Sequence, residues 1–292
     1  MMPGTIGFIG LGSMGRPIAT NLAAAGFDLV CFDAAGTSER LPDGAAAAAS
    51  ATEVFDGTDT TLISVPDGAA TTALIADLER ASRRRVTTVV DLSTVGPTVA
   101  RGAAARLEPL GVVYCDGPVS GGVAGAQAGT ISLMFAGPAT VFDAHRSVLD
   151  AMSSNVFHVG EHAGQGQAMK LLNNFLSAVA LAATSEAIAF GAAAGLDMGV
   201  MLNVLNVSSG RNTATADKFP NRVLTGTFDA GFRTQLMNKD VALYLESAAD
   251  AGAPSVVANA VGSVWAAANA AMPGSDFSEI WTYVSTQASA GI

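Results

Sequence analysis

The sequence predicts an α/β domain built on a parallel sheet, followed by an all-α domain, with one long helix joining the two. Three observations predict it. Residues Thr5 to Phe32 read as apolar strand, glycine-rich turn, helix and second apolar strand. From Gly164 to Ala194 there is no proline, and the run is apolar almost all round, with Leu171, Leu172, Phe175, Leu176, Val179, Leu181, Ile188 and Phe190. After Ala194 no strand pattern recurs, and the chain reads as further helices. The boundary falls at residues 163/164, giving a 1–163 domain and a 164–292 helical domain.

In order, Thr5–Gly10 is a short strand that runs into Gly10-Leu11-Gly12-Ser13-Met14-Gly15. A helix carrying Ile18, Leu22 and Ala25 follows and stops at Gly26, and a strand from Phe27 ends at Phe32-Asp33. Strand, G-x-G-x-x-G, helix, strand and acid is the Rossmann dinucleotide-binding fingerprint in its required context. Gly10 makes the tight turn, Gly12 lets backbone approach a pyrophosphate at the helix N-terminus, and Gly15 lets helix and strand pack closely. The Asp33 carboxylate suits a ribose 2′-hydroxyl and repels a 2′-phosphate. Ala34 follows it where an arginine would welcome that phosphate, although Arg40 lies a little further along. NAD is therefore expected over NADP.

Gly44–Ser50 is alanine-rich and reads as helix or small-residue loop. Strands are expected at Thr60–Val65, Val86–Asp91, Val112–Tyr114, Thr130–Ala136 and Asn155–Val159, and helices at Gly68–Arg80, Thr98–Leu110 and Val141–Leu149. The strand ends Val65-Pro66 and Ser93-Thr94 then lie on the carboxyl edge of a parallel sheet, where doubly wound folds bind ligands. Ser93 and Thr94 suit a cofactor contact or a helix cap ahead of Pro97. Asp116-Gly117-Pro118-Val119-Ser120-Gly121-Gly122 offers a hydroxyl beside unshielded backbone N–H groups, a cradle for a small carboxylate. The Arg83-Arg84-Arg85 run suits a solvated helix C-terminus.

The long helix carries Lys170 and Asn174, spaced to share one face. Lysine is scarce: of fifteen basic residues only Lys170, Lys218 and Lys239 are lysines. A lysine can be tuned by its surroundings to release a proton, and an arginine cannot. Half of the 292 residues are hydrophobic, and the net charge of −10 argues against a nucleic-acid partner. The start of the chain lacks the basic region of a signal peptide, and no membrane partner is expected. A cytoplasmic protein is expected. Cys31 and Cys115 and the three histidines have no metal-ligand spacing, so no metal is expected.

Gly7 to Gly15, Asp116 to Gly122, Gly164-Gln165-Gly166 through Lys170 to Asn174, and Asn238-Lys239-Asp240 together resemble, in order and spacing, the β-hydroxyacid dehydrogenases. The resemblance spans essentially the whole chain. It implies NAD-dependent hydride transfer to and from a small 3-hydroxy acid, with Lys170 as the catalytic lysine. It assigns Ser120, Gly121, Gly122 and Asn174 to the substrate. It assigns Gly10, Leu11, Gly12, Met14, Gly15, Asp33, Val65, Pro66, Thr94 and Lys239 to the cofactor. It implies a homodimer or homotetramer built through the helical domain. 6-Phosphogluconate dehydrogenases carry a histidine where this chain has Asn173, and imine reductases lack the lysine. For Lys170 to act as a base, burial must disfavour its ammonium form.

Overall fold

The computed structural model describes residues 4–290. They form two compact units, divided between Lys170 and Leu171.

The first unit holds nine strands: β1 (Ile6–Ile9), β2 (Leu29–Phe32), β3 (Ala46–Ala47), β4 (Thr60–Ile63), β5 (Thr88–Asp91), β6 (Val113–Asp116), β7 (Val119–Ser120), β8 (Ser132–Ala136) and β9 (Asn155–Gly160). β3, β2, β1, β4, β5 and β6 lie side by side in that order and are all parallel. The order reverses at β1, the topological switch point of a doubly wound sheet. β8 runs antiparallel to β6 and β7, and β9 pairs parallel with β8.

Helices cover both faces. α1 (Gly15–Ala24), α5 (Gly122–Ala128), α6 (Ala139–Ala144) and α7 (Arg146–Met152) occur in this unit with α2 (Ala51–Gly57), α3 (Gly68–Arg80) and α4 (Pro97–Leu107). Ile6, Phe8, Leu62 and Val90 join Ile18, Leu22 and Leu149 in one core, while Ile9, Ile63 and Val89 join Phe55, Ile75 and Leu107 in another. Alternate strand residues feed opposite cores because strand side chains alternate between faces.

Several sequence expectations change. The Gly44–Ser50 run contributes the short edge strand β3, followed by α2, whose N-terminus is capped by Ser50 Oγ accepting from the Glu53 N–H at 3.1 Å. The single helix expected over Val141–Leu149 is two short helices meeting at His145. The Gly121-Gly122 cradle leads straight into α5, a helix with no counterpart among the sequence expectations. Ser93 does not cap α4, whose N-cap is Gly96 at φ 86°. The arginine run behaves as expected: Arg84 donates to the carbonyls of Leu78 and Glu79 at the end of α3, and Arg85 pairs with Asp59.

α8 (Gln165–Ala193) crosses the division between the units. The second unit adds α9 (Met198–Asn206), a π-helical segment (Ala214–Val223), α10 (Thr234–Asp250), α11 (Val256–Ala271) and α12 (Ile280–Ala290). Its core gathers Ala178, Leu181, Ile188, Phe219, Val241 and Ile280 around a fully buried Trp265. The apolar pattern of α8 predicts burial all round, and the structure corrects this. Leu171, Ala178, Leu181 and Ile188 are buried, whereas Leu172, Leu176 and Phe190 are 45%, 59% and 77% exposed. By length and hydropathy alone α8 would suit a membrane span, but its inner face packs in the second unit's core as a core helix does.

Candidate active site

In the first unit the site begins with backbone. The turn after β1 carries Gly10 at φ 97°, a conformation that side-chain-bearing residues rarely adopt. A Cβ on Gly10 would lie 2.1 Å from the Ser64 carbonyl oxygen, and one on Gly15 would lie 1.9 Å from the Gly10 carbonyl oxygen. Both glycines are therefore fixed by close backbone approach. Gly12 differs: a Cβ there would meet nothing within 4 Å, so the space above it is open. Open backbone at the start of α1 fits an approaching pyrophosphate, whose charge the helix N-terminus favours. Met14 precedes α1 and packs partly into the core.

Asp33, at the end of β2, is buried. One carboxylate oxygen accepts from the Leu11 N–H at 2.7 Å, tying the acid to the glycine turn. The other accepts from the Ala35 N–H at 2.8 Å and from Arg40 at 3.0 Å. Leu11 thus commits its N–H to Asp33 and its side chain to the core.

The neighbouring strand ends are tied together by buried polar groups. Ser93 Oγ accepts from the Val65 N–H at 2.8 Å, and the Ser93 N–H donates to Asp91 at 2.9 Å. Asp91 also accepts from Thr71 and Tyr114 hydroxyls. Burial pushes the Asp91 carboxyl above its ordinary range, against those bonds. Burial, with Asp91 nearby, holds the Tyr114 phenol well above its usual range. Thr94 and Pro66 lie at the same edge, half-buried and exposed respectively.

The first turn of α8 is built into this edge. Gln167 is fully buried. Its Oε1 accepts from the Val95 and Gly96 N–H groups at 2.9 and 3.1 Å, and its Nε2 donates to the Ser93 carbonyl at 2.9 Å. The Asp116 carboxylate, at the end of β6, caps the helix from outside. It accepts from the Gly164 N–H at 2.6 Å and the Gln167 N–H at 2.7 Å. Burial raises its carboxyl to about 6, while the two N–H donors pull the other way. The G-Q-G sequence follows from this packing. Gly164 has φ 95°, and a Cβ on Gly166 would sit 2.4 Å from the Met134 carbonyl oxygen and 2.7 Å from the Asp116 carboxylate. Lys170, on the next turn, is buried at 7% exposure. Ser120, Gly121 and Gly122 follow β6, with both glycines at positive φ (131° and 65°) where the backbone turns into α5.

In the second unit, Asn174 is buried and donates from Nδ2 to Asp240 at 2.6 Å, while its Oδ1 accepts from Asn173 at 3.1 Å. Lys239 stands 3.5 Å from Asp240. The lysine outside the predicted set, Lys218, pairs with Asp217.

Gln167, Asp91, Asp116 and Asp240 were not predicted as site residues. Asp116, Gln167 and Asp240 stand inside the quoted motifs, but the sequence does not show their partners.

Comparison with known proteins identifies the family. Residues 5–160 match the family described as the NAD binding domain of 6-phosphogluconate dehydrogenase. Residues 164–284 match the NAD-binding family of NADP-dependent 3-hydroxyisobutyrate dehydrogenase. A 3-hydroxyisobutyrate dehydrogenase of Pseudomonas aeruginosa is 37% identical over 94% of this chain and 96% of its own. An NAD-dependent L-serine dehydrogenase of the same organism is 39% identical over 83% of this chain and 85% of its own. The structure of Mycobacterium tuberculosis 3-hydroxyisobutyrate dehydrogenase with L-serine superposes with TM-score 0.90 at 33% identity, covering 97% of this chain and 99% of that one. With the fingerprint turn, the capped lysine helix and full-length similarity in register, the chain belongs to the β-hydroxyacid dehydrogenase family.

Proposed function

We propose that this protein interconverts a small 3-hydroxy acid and its semialdehyde, with Lys170 as the proton-transfer residue. As a member of its family it is an NAD-dependent oxidoreductase acting on the CH–OH group of a hydroxy acid. The named relatives act on 3-hydroxyisobutyrate and L-serine. The substrate proposed here is a 3-hydroxy acid of that size. The observation that carries the residue-level reading is Lys170 itself. It is buried in the helix whose first turn is locked to the cofactor edge through Gln167 and Asp116.

In this reading, bound NAD supplies the hydride acceptor. The substrate carboxylate lies on Ser120, Gly121 and Gly122. Lys170, as a neutral amine, takes the hydroxyl proton as the carbon–hydrogen bond breaks. In reverse, the ammonium returns that proton to the carbonyl oxygen. Asn174, one helical turn along, orients the substrate, and Asp240 holds its amide nitrogen to one side. The cofactor is held by Gly10, Leu11, Gly12, Met14 and Gly15, with Asp33 on the ribose and Val65, Pro66, Thr94 and Lys239 around it. Residues 1–163 act as the NAD domain and 164–292 as the substrate and oligomerisation domain.

Lys170→Ala and Lys170→Arg are the test. Turnover is expected to fall by about 10²- to 10⁴-fold in both, with NAD affinity held within about twofold. Arginine keeps the charge but cannot release a proton near neutral pH. An arginine variant with near-native turnover overturns the assignment.

We also propose a cytoplasmic homodimer or homotetramer, with no nucleic-acid or membrane partner. Leu172, Leu176 and Phe190 expose apolar surface on one helix, and Phe190 borders an apolar groove of about 660 Å³ with Val264, Ala267 and Val284. Such surface on a water-soluble chain calls for a cover. Light scattering of the purified protein tests this, and a monomer would contradict it.

A further inference from the structure

Asp33 is expected to select NAD by repelling a 2′-phosphate, yet the structure places a guanidinium directly on that carboxylate. Arg40 Nη1 lies 3.0 Å from Asp33 Oδ1, and the arginine side chain is 38% exposed against 9% for the aspartate. Asp33 Oδ1 also accepts from the Ala35 N–H, and Oδ2 accepts from the Leu11 N–H. A carboxylate offers about four acceptor positions. Among the described residues, protein donors occupy three, which leaves one on Oδ2 for a ribose hydroxyl. The Thr37 hydroxyl stands in the same turn, 2.9 Å from the Asp33 backbone nitrogen.

We propose that Arg40 is a latent 2′-phosphate-binding residue, held shut by Asp33, so that the pair rather than the acid alone decides between NAD and NADP. This rests on the reading that Asp33 faces the adenosine ribose. While both charges are present they compensate each other, and the carboxylate is the one tied to the ribose end of the turn through Leu11. A 2′-phosphate would then meet a fixed negative group and an arginine already engaged. Removing the negative charge alone changes both terms. Asparagine at position 33 still offers one oxygen to the Leu11 N–H, but its amide nitrogen cannot accept from Arg40. The guanidinium, partly exposed and on a loop, is released with donors suited to paired contacts with a phosphate. The chain would then carry, without any added arginine, the nearby arginine that NADP-binding members of this fold use.

Binding to the substrate-free protein tests this apart from turnover. Calorimetric dissociation constants for NAD and NADP are measured on the native chain, Asp33→Asn, Arg40→Gln and the double variant. Asp33→Asn is expected to weaken NAD about tenfold and to tighten NADP by about 10- to 100-fold, the scale of one charge-assisted hydrogen bond. Adding Arg40→Gln is expected to take the NADP gain back, a coupling between the two positions. If the NADP affinity of Asp33→Asn is the same with and without Arg40, the proposal is wrong even though Asp33 still selects NAD. If Asp33→Asn leaves NAD affinity unchanged, the ribose reading fails and the proposal falls with it. Asp33→Ser, measured in the same way and with its own melting curve, covers the case in which the asparagine variant does not fold.

Discussion

The residues proposed for the site are presented by different means in the two units. In the first, the proposed binding surface is mostly main chain. Gly10, Gly12 and Gly15 shape it because a side chain would collide or block, and buried polar groups such as Asp33, Ser93 and Gln167 hold the turns in place. In the second, the groups proposed to act are side chains spaced along helices. Asn174 on α8 and Asp240 on α10 are far apart in sequence and meet at 2.6 Å. A backbone site is sensitive to added atoms, and a side-chain site to removed ones.

The largest expected effect of that contrast comes from adding one carbon. Gly15→Ala puts a Cβ against the Gly10 carbonyl oxygen, with backbone on both sides of the clash. We expect a loss of about 3 kcal/mol in stability, or a displaced turn, and at least tenfold weaker NAD binding. A Cβ on Gly12 has nothing within 4 Å among the described residues beyond its chain neighbours. Gly12→Ala should leave the melting temperature within a degree or two and still weaken NAD, because the added carbon occupies ligand space. Equal melting losses for both variants would break the distinction drawn between the two glycines.

In the second unit the corresponding experiment changes a partner. Asp240→Asn replaces one carboxylate oxygen with a donor and loosens Asn174. Substrate KM should rise about tenfold, the scale of a charge-assisted hydrogen bond, while substrate-free NAD affinity stays within about twofold. A fall in NAD affinity matching the rise in KM would show that Asp240 acts through its ion pair with Lys239 or through the fold, and not through Asn174 alone.

Gln167→Ala probes the join between helix and cofactor edge. Three buried hydrogen bonds disappear, leaving the Val95 and Gly96 N–H groups without that acceptor. Stability should drop by about 2 kcal/mol, with a several-fold weaker cofactor. Gln167→Glu keeps the acceptor and should restore part of the cofactor affinity.

The last effect is a pH slope rather than a shift at one pH. Asp116 in the folded chain titrates near 6, above its ordinary 3.8. The folded state therefore holds more protons than the unfolded state between these values, and stability falls as pH rises through that window. Asp116 alone contributes on the order of 3 kcal/mol to the decline, and Asp91, also raised, adds to it in the same direction. Asp116→Asn should flatten the slope of melting temperature between pH 4 and pH 6, roughly the window set by the two values. An unchanged slope would show that the carboxylate titrates elsewhere.

The same contrast governs how much was legible in the sequence. The first fold elements were readable because turn chemistry is local: Gly10 to Gly15 and Asp33 lie within one strand–helix–strand unit. The helix α3 was readable over Gly68–Arg80, with Asp67 capping it through the Ala70 N–H. α2 was hidden by the alanine run ahead of it, although Ser50 and Glu53 carried the spacing of a capped start. α5 was hidden because its glycines and alanines carry no clear apolar periodicity. The outward apolar face of α8 could not be told from the inward one, since both are rich in alanine and leucine. Lys170 and Asn174 stood out through lysine scarcity, helical spacing and family likeness. Asp116, Gln167 and Asp240 did not, because a buried polar residue is understood only through partners distant in sequence.

The most direct test is reduced-nicotinamide absorbance with the purified protein, NAD and a panel of hydroxy acids, run beside Lys170→Arg. L-Serine, 3-hydroxyisobutyrate and close 3-hydroxy acids should reduce NAD, 2-hydroxy acids should not, and the arginine variant should lose at least about 10²-fold of the rate. No turnover with any 3-hydroxy acid, or the same turnover with arginine at position 170, would contradict the account.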